Sequence, residues 1–309
     1  MVKVLKIALI AGGPSAERAI SLESGRYLAQ GLQKLEQDFI FFDWPKDLLK
    51  LARAARNFDL AWPIVHGAGG EDGSLQGFLR TVGLPFIGSG VLGAAQTFDK
   101  AYTKKVYQDQ GIKVASGLVV AQGQKVAGAK ILEQVGLPCF VKPIKSGSSF
   151  GAGLVTQQCQ LKEALAKAWQ FGEALVEQFL VGTEVAAGVL QTRRGLRALP
   201  LVEIQPKAQF FDYQAKYDPN FCTEICPARI GAGLTQRVQE LALRIHNLFN
   251  LRHLSRTDFI LVGSKIYALE TNTIPGFTKN SLFPQAAAKA GFSFEDLVGE
   301  ILEVWRRGV

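Results

Sequence analysis

The chain has 309 residues, 48% of them hydrophobic, and 35 Lys+Arg against 27 Asp+Glu, a net charge of +8. That apolar content supports sizeable cores and excludes a disordered chain, and the length suggests two or three domains. No apolar run reaches the roughly 18 residues that cross a bilayer, and the basic residues are dispersed, so membrane insertion and nucleic-acid binding are not expected; a small anionic substrate accounts for the surplus charge.

From the N-terminus, alternating patterns predict a strand at 4–11, a helix at 15–35, a strand at 38–43, a helix at 46–56, a strand at 59–65 and a helix at 74–82. This is the pattern of a parallel sheet covered by helices. The opening lysines and apolar run superficially suggest a secretion signal, but they lead into Gly12-Gly13-Pro14-Ser15 and a charged helix pattern, so they read as a first buried strand. A boundary falls near residue 98. A helix over 101–110 and a strand over 116–121 follow, then a helix near 126–135, a strand at 138–143, a Gly/Ser loop at 146–151, a helix near 161–170 and a strand at 174–179. The segments 184–192 and 197–204 read as antiparallel strands. A polar stretch at about 205–228 has no clear period, and loops of that length are usually lids or binding loops. Leu234, Val238, Leu241, Ile245, Leu248 and Phe249 recur at helical spacing, so His246 is expected to be a helix residue and not a ligand. Helices over 283–305 close the chain.

Four cysteines include Cys222-x3-Cys226, yet no second Cys or His pair lies near it, and free thiols in a reducing compartment are expected.

Several segments carry chemistry. Val141-Lys142-Pro143 ends an apolar strand and runs into Ser146-Gly147-Ser148-Ser149-Phe150-Gly151, a loop rich in donors that can wrap phosphate oxygens beside a lysine. An ordinary turn beside a surface lysine is the competing reading. Glu177-Gln178-Phe179-Leu180 is an extended hinge whose backbone can pair with an adenine edge, and nearby acidic residues such as Glu184 can accept from a ribose. His66-Gly67-Ala68-Gly69-Gly70-Glu71-Asp72-Gly73 and Gly12-Gly13-Pro14-Ser15-Ala16-Glu17-Arg18 each follow a strand of the first sheet, where parallel sheets build binding sites. Glu17 meets either a cationic amine or the positive end of its own helix. The dinucleotide fingerprint G-x-G-x-x-G is absent there.

The most informative feature is a hairpin. Residues 255–262 and 266–278 carry apolar, strand-like runs around Val262-Gly263-Ser264-Lys265. Folding them together sets Asp258 beside Glu270, with Asn272 two residues on and on the same face. Hard oxygens of this kind suit magnesium that shares its shell with phosphates, so a nucleotide is expected.

With these motifs assembled, the chain resembles D-alanine–D-alanine ligases of the ATP-grasp superfamily along essentially all of its length. The resemblance rests on the Gly12–Arg18, His66–Gly73 and Val141–Gly151 segments and on Glu270-Thr271-Asn272-Thr273-Ile274-Pro275-Gly276-Phe277-Thr278. It implies an α/β, three-domain ATP-grasp architecture: an N-terminal parallel-sheet, Rossmann-like substrate domain (1–98), a central ATP-grasp subdomain (99–181), and a C-terminal one (182–309) with the metal site and a lid at about 205–228. It implies that Lys100 and Lys142 contact ATP phosphates, that Glu177 with Phe179 and Leu180 contacts adenine, and that Glu184 contacts ribose. Lys216 would reach the γ-phosphate, and Asp258, Glu270 and Asn272 would bind two magnesium or manganese ions. Glu17, supported by Ser148 and Tyr217, would hold the ammonium of the first D-alanine, with His66 a further substrate contact. Arg256 and the Gly276 backbone would stabilise the oxyanion, and Ser281 would meet the carboxylate of the second D-alanine.

The implied activity is ATP-dependent formation of D-alanyl-D-alanine through a D-alanyl phosphate, serving peptidoglycan precursor synthesis, by a cytoplasmic homodimer. Tyr217 favours the dipeptide over the D-alanyl-D-lactate ester. Lys279-Asn280 departs from some relatives at the second subsite, and Cys222 in the lid has no assigned role. The competing readings are another carboxylate–amine ligase of the same fold and, from a different class, a non-catalytic nucleotide-binding regulator.

Overall fold

The structure is a computed structural model and describes residues 4–124, 128–206 and 222–308. Three sheets organise it. In the first, β1 (Lys6–Gly12) lies between β2 (Asp38–Trp44) and β3 (Leu60–Pro63), all parallel. β1 is apolar on both faces because both are covered. Ile7, Leu9 and Ala11 pack with Leu28 and Leu32 of α1 (Arg18–Lys34). Ala8 and Ile10 pack with Leu51 of α2 (Leu48–Ala54) and with Leu75 and Leu79 of α3 (Ser74–Thr81). The first of these cores runs on into Phe277, Phe283, Leu297 and Ile301, so the N-terminal sheet is docked on the C-terminal segment.

After α4 (Val91–Phe98), the Asp99 carboxylate accepts from the Tyr102 N–H at 3.0 Å and caps α5 (Lys100–Asp109). The second sheet is antiparallel, in the order β4 (Gly117–Val120), β7 (Ala174–Gln178), β5 (Cys139–Pro143), β6 (Gly153–Val155). One face buries Val120, Val141 and Val176 against Ile131 and Val135 of α6 (Gly128–Val135) and Leu161 and Leu165 of α7 (Leu161–Ala168). The opposite face carries Phe140, Lys142 and Glu177.

The third sheet runs β11 (Cys222–Ile225), β10 (Val202–Pro206), β8 (Thr183–Thr192), β12 (Leu254–Val262), β13 (Lys265–Asn272), with β9 (Gly195–Ala198) also on β8. Helix α8 (Ala232–Leu248) covers one face, where Val238, Ala242 and Ile245 meet Val185, Ala187 and Phe259. His246 lies in this helix, buried, its Nδ1 2.8 Å from Ser255 Oγ. α9 (Leu282–Lys289) and α10 (Phe294–Arg306) close the other side.

The predicted single strand over 197–204 is two, β9 and β10, broken at Leu199-Pro200-Leu201 because proline has no N–H for a ladder. Helix α4 and the three-residue β6 lie outside the predicted elements. The flanks of the predicted lid are sheet: β10 and β11 pair antiparallel from Glu203↔Ile225 to Pro206↔Cys222. Its centre, with Lys216 and Tyr217, lies outside the described residues. Among the described residues no helix is long and apolar enough to cross a membrane, and the four cysteines form no disulfide with one another.

Candidate active site

The hairpin places its ligand-type residues in two rungs on one face, Arg256 opposite Asn272 and Asp258 opposite Glu270. A bulge makes this possible. From the Gly263-Ser264 turn, Val262 pairs with Lys265 and Phe259 with Ala268, and the next pair is Asp258 with Glu270, leaving Leu269 as the extra residue. In an unbroken register Asp258 would face Leu269, and Glu270 would turn to the α8 side. The slip instead leaves Ala268 and Thr271 buried, with Thr271 Oγ1 2.7 Å from both Tyr107 OH and Thr257 Oγ1.

Cations face both carboxylates. Arg256 donates from Nε and Nη2 to the two Asp258 oxygens at 2.8 Å each. Lys100 Nζ lies 3.3 Å from Glu270 Oε2 and donates to the Ser146 carbonyl. Asn272 Nδ2 is buried without a hydrogen-bond partner. Among the described residues no three His, Cys, Asp or Glu side chains converge. The donor set is two carboxylates and an amide, which fits a divalent cation that takes its remaining ligands from phosphate and water.

At the second sheet, Phe140 pairs with Glu177, which makes Lys142 its diagonal neighbour on the same face. Lys142 Nζ sits 2.6 Å from Glu177 Oε1, and Lys104 Nζ contacts Oε2. Burial pushes the Glu177 carboxyl up, but Lys142 and then Lys104 outweigh it and hold the group below its ordinary range. Burial pulls the Lys104 ammonium down against the attraction of Glu177.

Glu17, at the start of α1, is buried and accepts from Ser148 Oγ. Two glycines make room for it: a Cβ on Gly147 or Gly67 would lie 2.4 or 2.5 Å from Glu17 Oε2. Ser148 and Ser149 hold left-handed φ values of 51° and 59°, a cost of a kind that collects at functional sites. Glu71 accepts from the Gly67 N–H at 2.8 Å, and burial together with the Glu17 charge pushes its carboxyl up to about 8. His66 lines the same space but both ring nitrogens are engaged: Nδ1 lies 3.1 Å from the Ile274 carbonyl, which only accepts, so Nε2 accepts from Ser24 Oγ at 3.1 Å. Burial brings its pKa to about 4, so the imidazole is neutral.

These groups line two cavities. One, of about 220 Å³, is bounded by Lys100, Lys142, Glu177, Phe179, Leu180, Glu184, Asp258 and Glu270. The other, of about 730 Å³, is bounded by Glu17, His66, Glu71, Arg256, Asn272, Gly276 and Ser281. They share Gly147, Ser148, Ile204 and Glu270. Ser281 Oγ accepts from the Thr278 N–H at 3.0 Å, which fixes it at the head of α9. Thus every predicted site residue that is described lies on one of the two cavities. Glu71 and Lys104 were not anticipated. Glu71 sits inside a recognised motif, and Lys104 is announced only by its spacing of four from Lys100.

Residues 106–303 match the D-ala D-ala ligase C-terminus family and residues 46–89 the D-ala D-ala ligase N-terminus family. The D-alanine–D-alanine ligase of Syntrophobacter fumaroxidans is 43% identical over 303 residues, covering 97% of both chains, and that of Desulfotalea psychrophila is 42% identical over 305 residues, covering 97% and 94%. Among solved structures, the D-alanine–D-alanine ligase of Bacillus anthracis complexed with ATP superposes with a TM-score of 0.84 at 26% identity, covering 98% of each chain. The VanG D-Ala:D-Ser ligase of Enterococcus faecalis gives 0.83 at 29%, covering 98% of this chain and all of that one. Two-rung hairpin, paired cavities and end-to-end similarity agree, and the chain belongs to the D-ala D-ala ligase family.

Proposed function

We propose that this protein joins two D-alanines into D-alanyl-D-alanine with hydrolysis of ATP to ADP and phosphate. The observation that carries the proposal is the common wall of the two cavities, Glu270 with Gly147 and Ser148. ATP in the smaller cavity and a carboxylate in the larger one meet there, across the residues suited to a divalent ion.

Glu177, Phe179 and Leu180 receive the base, Glu184 the ribose, and Lys100, Lys142 and the loop 146–151 the phosphates. Asp258, Glu270 and Asn272 would hold magnesium or manganese, which neutralises charge on the transferring phosphoryl group when bound. Glu17, kept in place by Ser148, accepts the ammonium of the first D-alanine. A carboxylate oxygen of that D-alanine takes the γ-phosphoryl group, forming D-alanyl phosphate and ADP. The deprotonated amine of the second D-alanine, whose carboxylate Ser281 receives, attacks the acyl carbon. Arg256 and the Gly276 N–H then hold the oxyanion until phosphate leaves, each such donor being worth about 3–4 kcal/mol. Lys216 and Tyr217 are assigned to closing the site. The same reading places the domain boundaries near 98 and 181, and the protein in the cytoplasm as a homodimer, which sedimentation tests.

Purified protein with ATP, magnesium and D-alanine should release phosphate and form the dipeptide, and L-alanine should give neither. Phosphate release indifferent to D-alanine overturns the assignment. Because a D-Ala:D-Ser ligase shares the fold, D-serine and D-lactate belong in the assay as acceptors, and D-alanine should exceed both.

A further inference from the structure

Helix α5 carries two buried lysines, Lys100 and Lys104. Four residues is the spacing that stacks side chains on one helix face. The two address different ends of the nucleotide cavity. Lys100 reaches Glu270 and the Ser146 carbonyl and lines the cavity, whereas Lys104 contacts Glu177 and stands behind it, off the lining. Lys142 holds the other Glu177 oxygen and does line the cavity. A nucleotide can therefore compete with Glu177 for Lys142 but has no access to Lys104.

We propose that Lys104 is a specificity-determining positioning residue, which keeps the Glu177 carboxylate oriented and anionic so that the site prefers a 6-amino purine triphosphate to its 6-oxo analogue. The inference rests on the assignment of Glu177 to the base. An ionised carboxylate only accepts hydrogen bonds. It takes an N–H from an exocyclic amine and repels a carbonyl oxygen at the same position. Burial favours the neutral acid, which donates to a 6-oxo group and erases the distinction. When Lys142 turns to the nucleotide, Lys104 remains as the cation against Glu177. The Glu177 backbone is fixed opposite Phe140 in the β5–β7 ladder, so the lysine has one carboxylate to hold in one place.

The test is steady-state ligation driven by ATP or by inosine triphosphate, which carries a 6-oxo group in place of the 6-amino group and a proton on N1, so the change in the ATP-to-inosine ratio between variants is what reports on Glu177. The variants are Lys104→Met, Lys104→Gln, Lys104→Arg and Glu177→Gln. Both neutral Lys104 variants should raise KM for ATP roughly tenfold or more, with a smaller change in kcat, and should narrow the ATP-to-inosine ratio of kcat/KM by a similar factor. Lys104→Arg should restore the ratio. If Lys104→Met does not fold, the Gln and Arg variants carry the same comparison of charge. A narrowed ratio in Glu177→Gln with a wild-type ratio in the neutral Lys104 variants overturns the role of Lys104. An unchanged ratio in Glu177→Gln overturns the assignment of Glu177 to the base, and the inference with it.

Discussion

Asp258 and Glu270 stand opposite each other across the β12–β13 hairpin at the point where the register slips by one residue. Arg256 and Asn272 form the next rung on the same face, so the proposed metal site spans both rungs and shares one of them with the proposed oxyanion site.

Glu270 is on the wall common to both cavities. Glu270→Gln keeps the shape and removes the charge, so turnover should fall by on the order of 10³. Circular dichroism should still show a folded protein, because the core face of β13 is untouched. Turnover within tenfold of wild type would refute the metal assignment.

Glu71 predicts a pH dependence of stability. Its folded carboxyl titrates near 8 against an ordinary value of 4.5, through burial and the facing Glu17, with the Gly67 and Ile274 backbone and Arg256 opposing. A raised pKa means that the folded state binds the proton more tightly. The Glu71 contribution is therefore fully present below about 4.5 and is lost as the pH rises through about 8. Glu71→Gln should flatten the fall in melting temperature between pH 5 and pH 8.5, and parallel wild-type and variant curves would contradict this.

Gly182 joins β7 to β8 beside the nucleotide cavity, and a Cβ there would lie 2.2 Å from the Leu261 carbonyl oxygen on β12. The obstacle is backbone, so the strands must part. Gly182→Ala should cost about 1–3 kcal/mol in urea unfolding and raise KM for ATP more than KM for D-alanine. Equal effects on both substrates would locate the damage elsewhere.

The hairpin was legible because period-2 alternation and the Gly263-Ser264 turn are local signals. The bulge at Leu269 was not, since it follows from where Thr271 and Ala268 find partners on α5 and under α8. Helix α4 was hidden by its small apolar residues, Gly93, Ala94 and Ala95, which leave no polar face to give it a helical period. The break at Pro200 was hidden by the apolar residues on either side, which give 197–204 the look of one strand. Lys142 and Glu177 were legible from the donor-rich loop and the extended hinge they belong to, and Lys100 through motif resemblance alone. Lys104 and Glu71 needed the fold, because their partners lie 73 and 54 positions away in sequence, at Glu177 and Glu17.

Helix α5 spans the two sheets that enclose the nucleotide cavity. Its Lys104 meets the second sheet at Glu177, while Lys100 and Tyr107 meet the third at Glu270 and Thr271. One short rod is thus a caliper. It fixes the gap between the jaws at a separation set by helix rise, and Glu177 and Glu270, which line the cavity, are held by lysines that cannot move independently of one another.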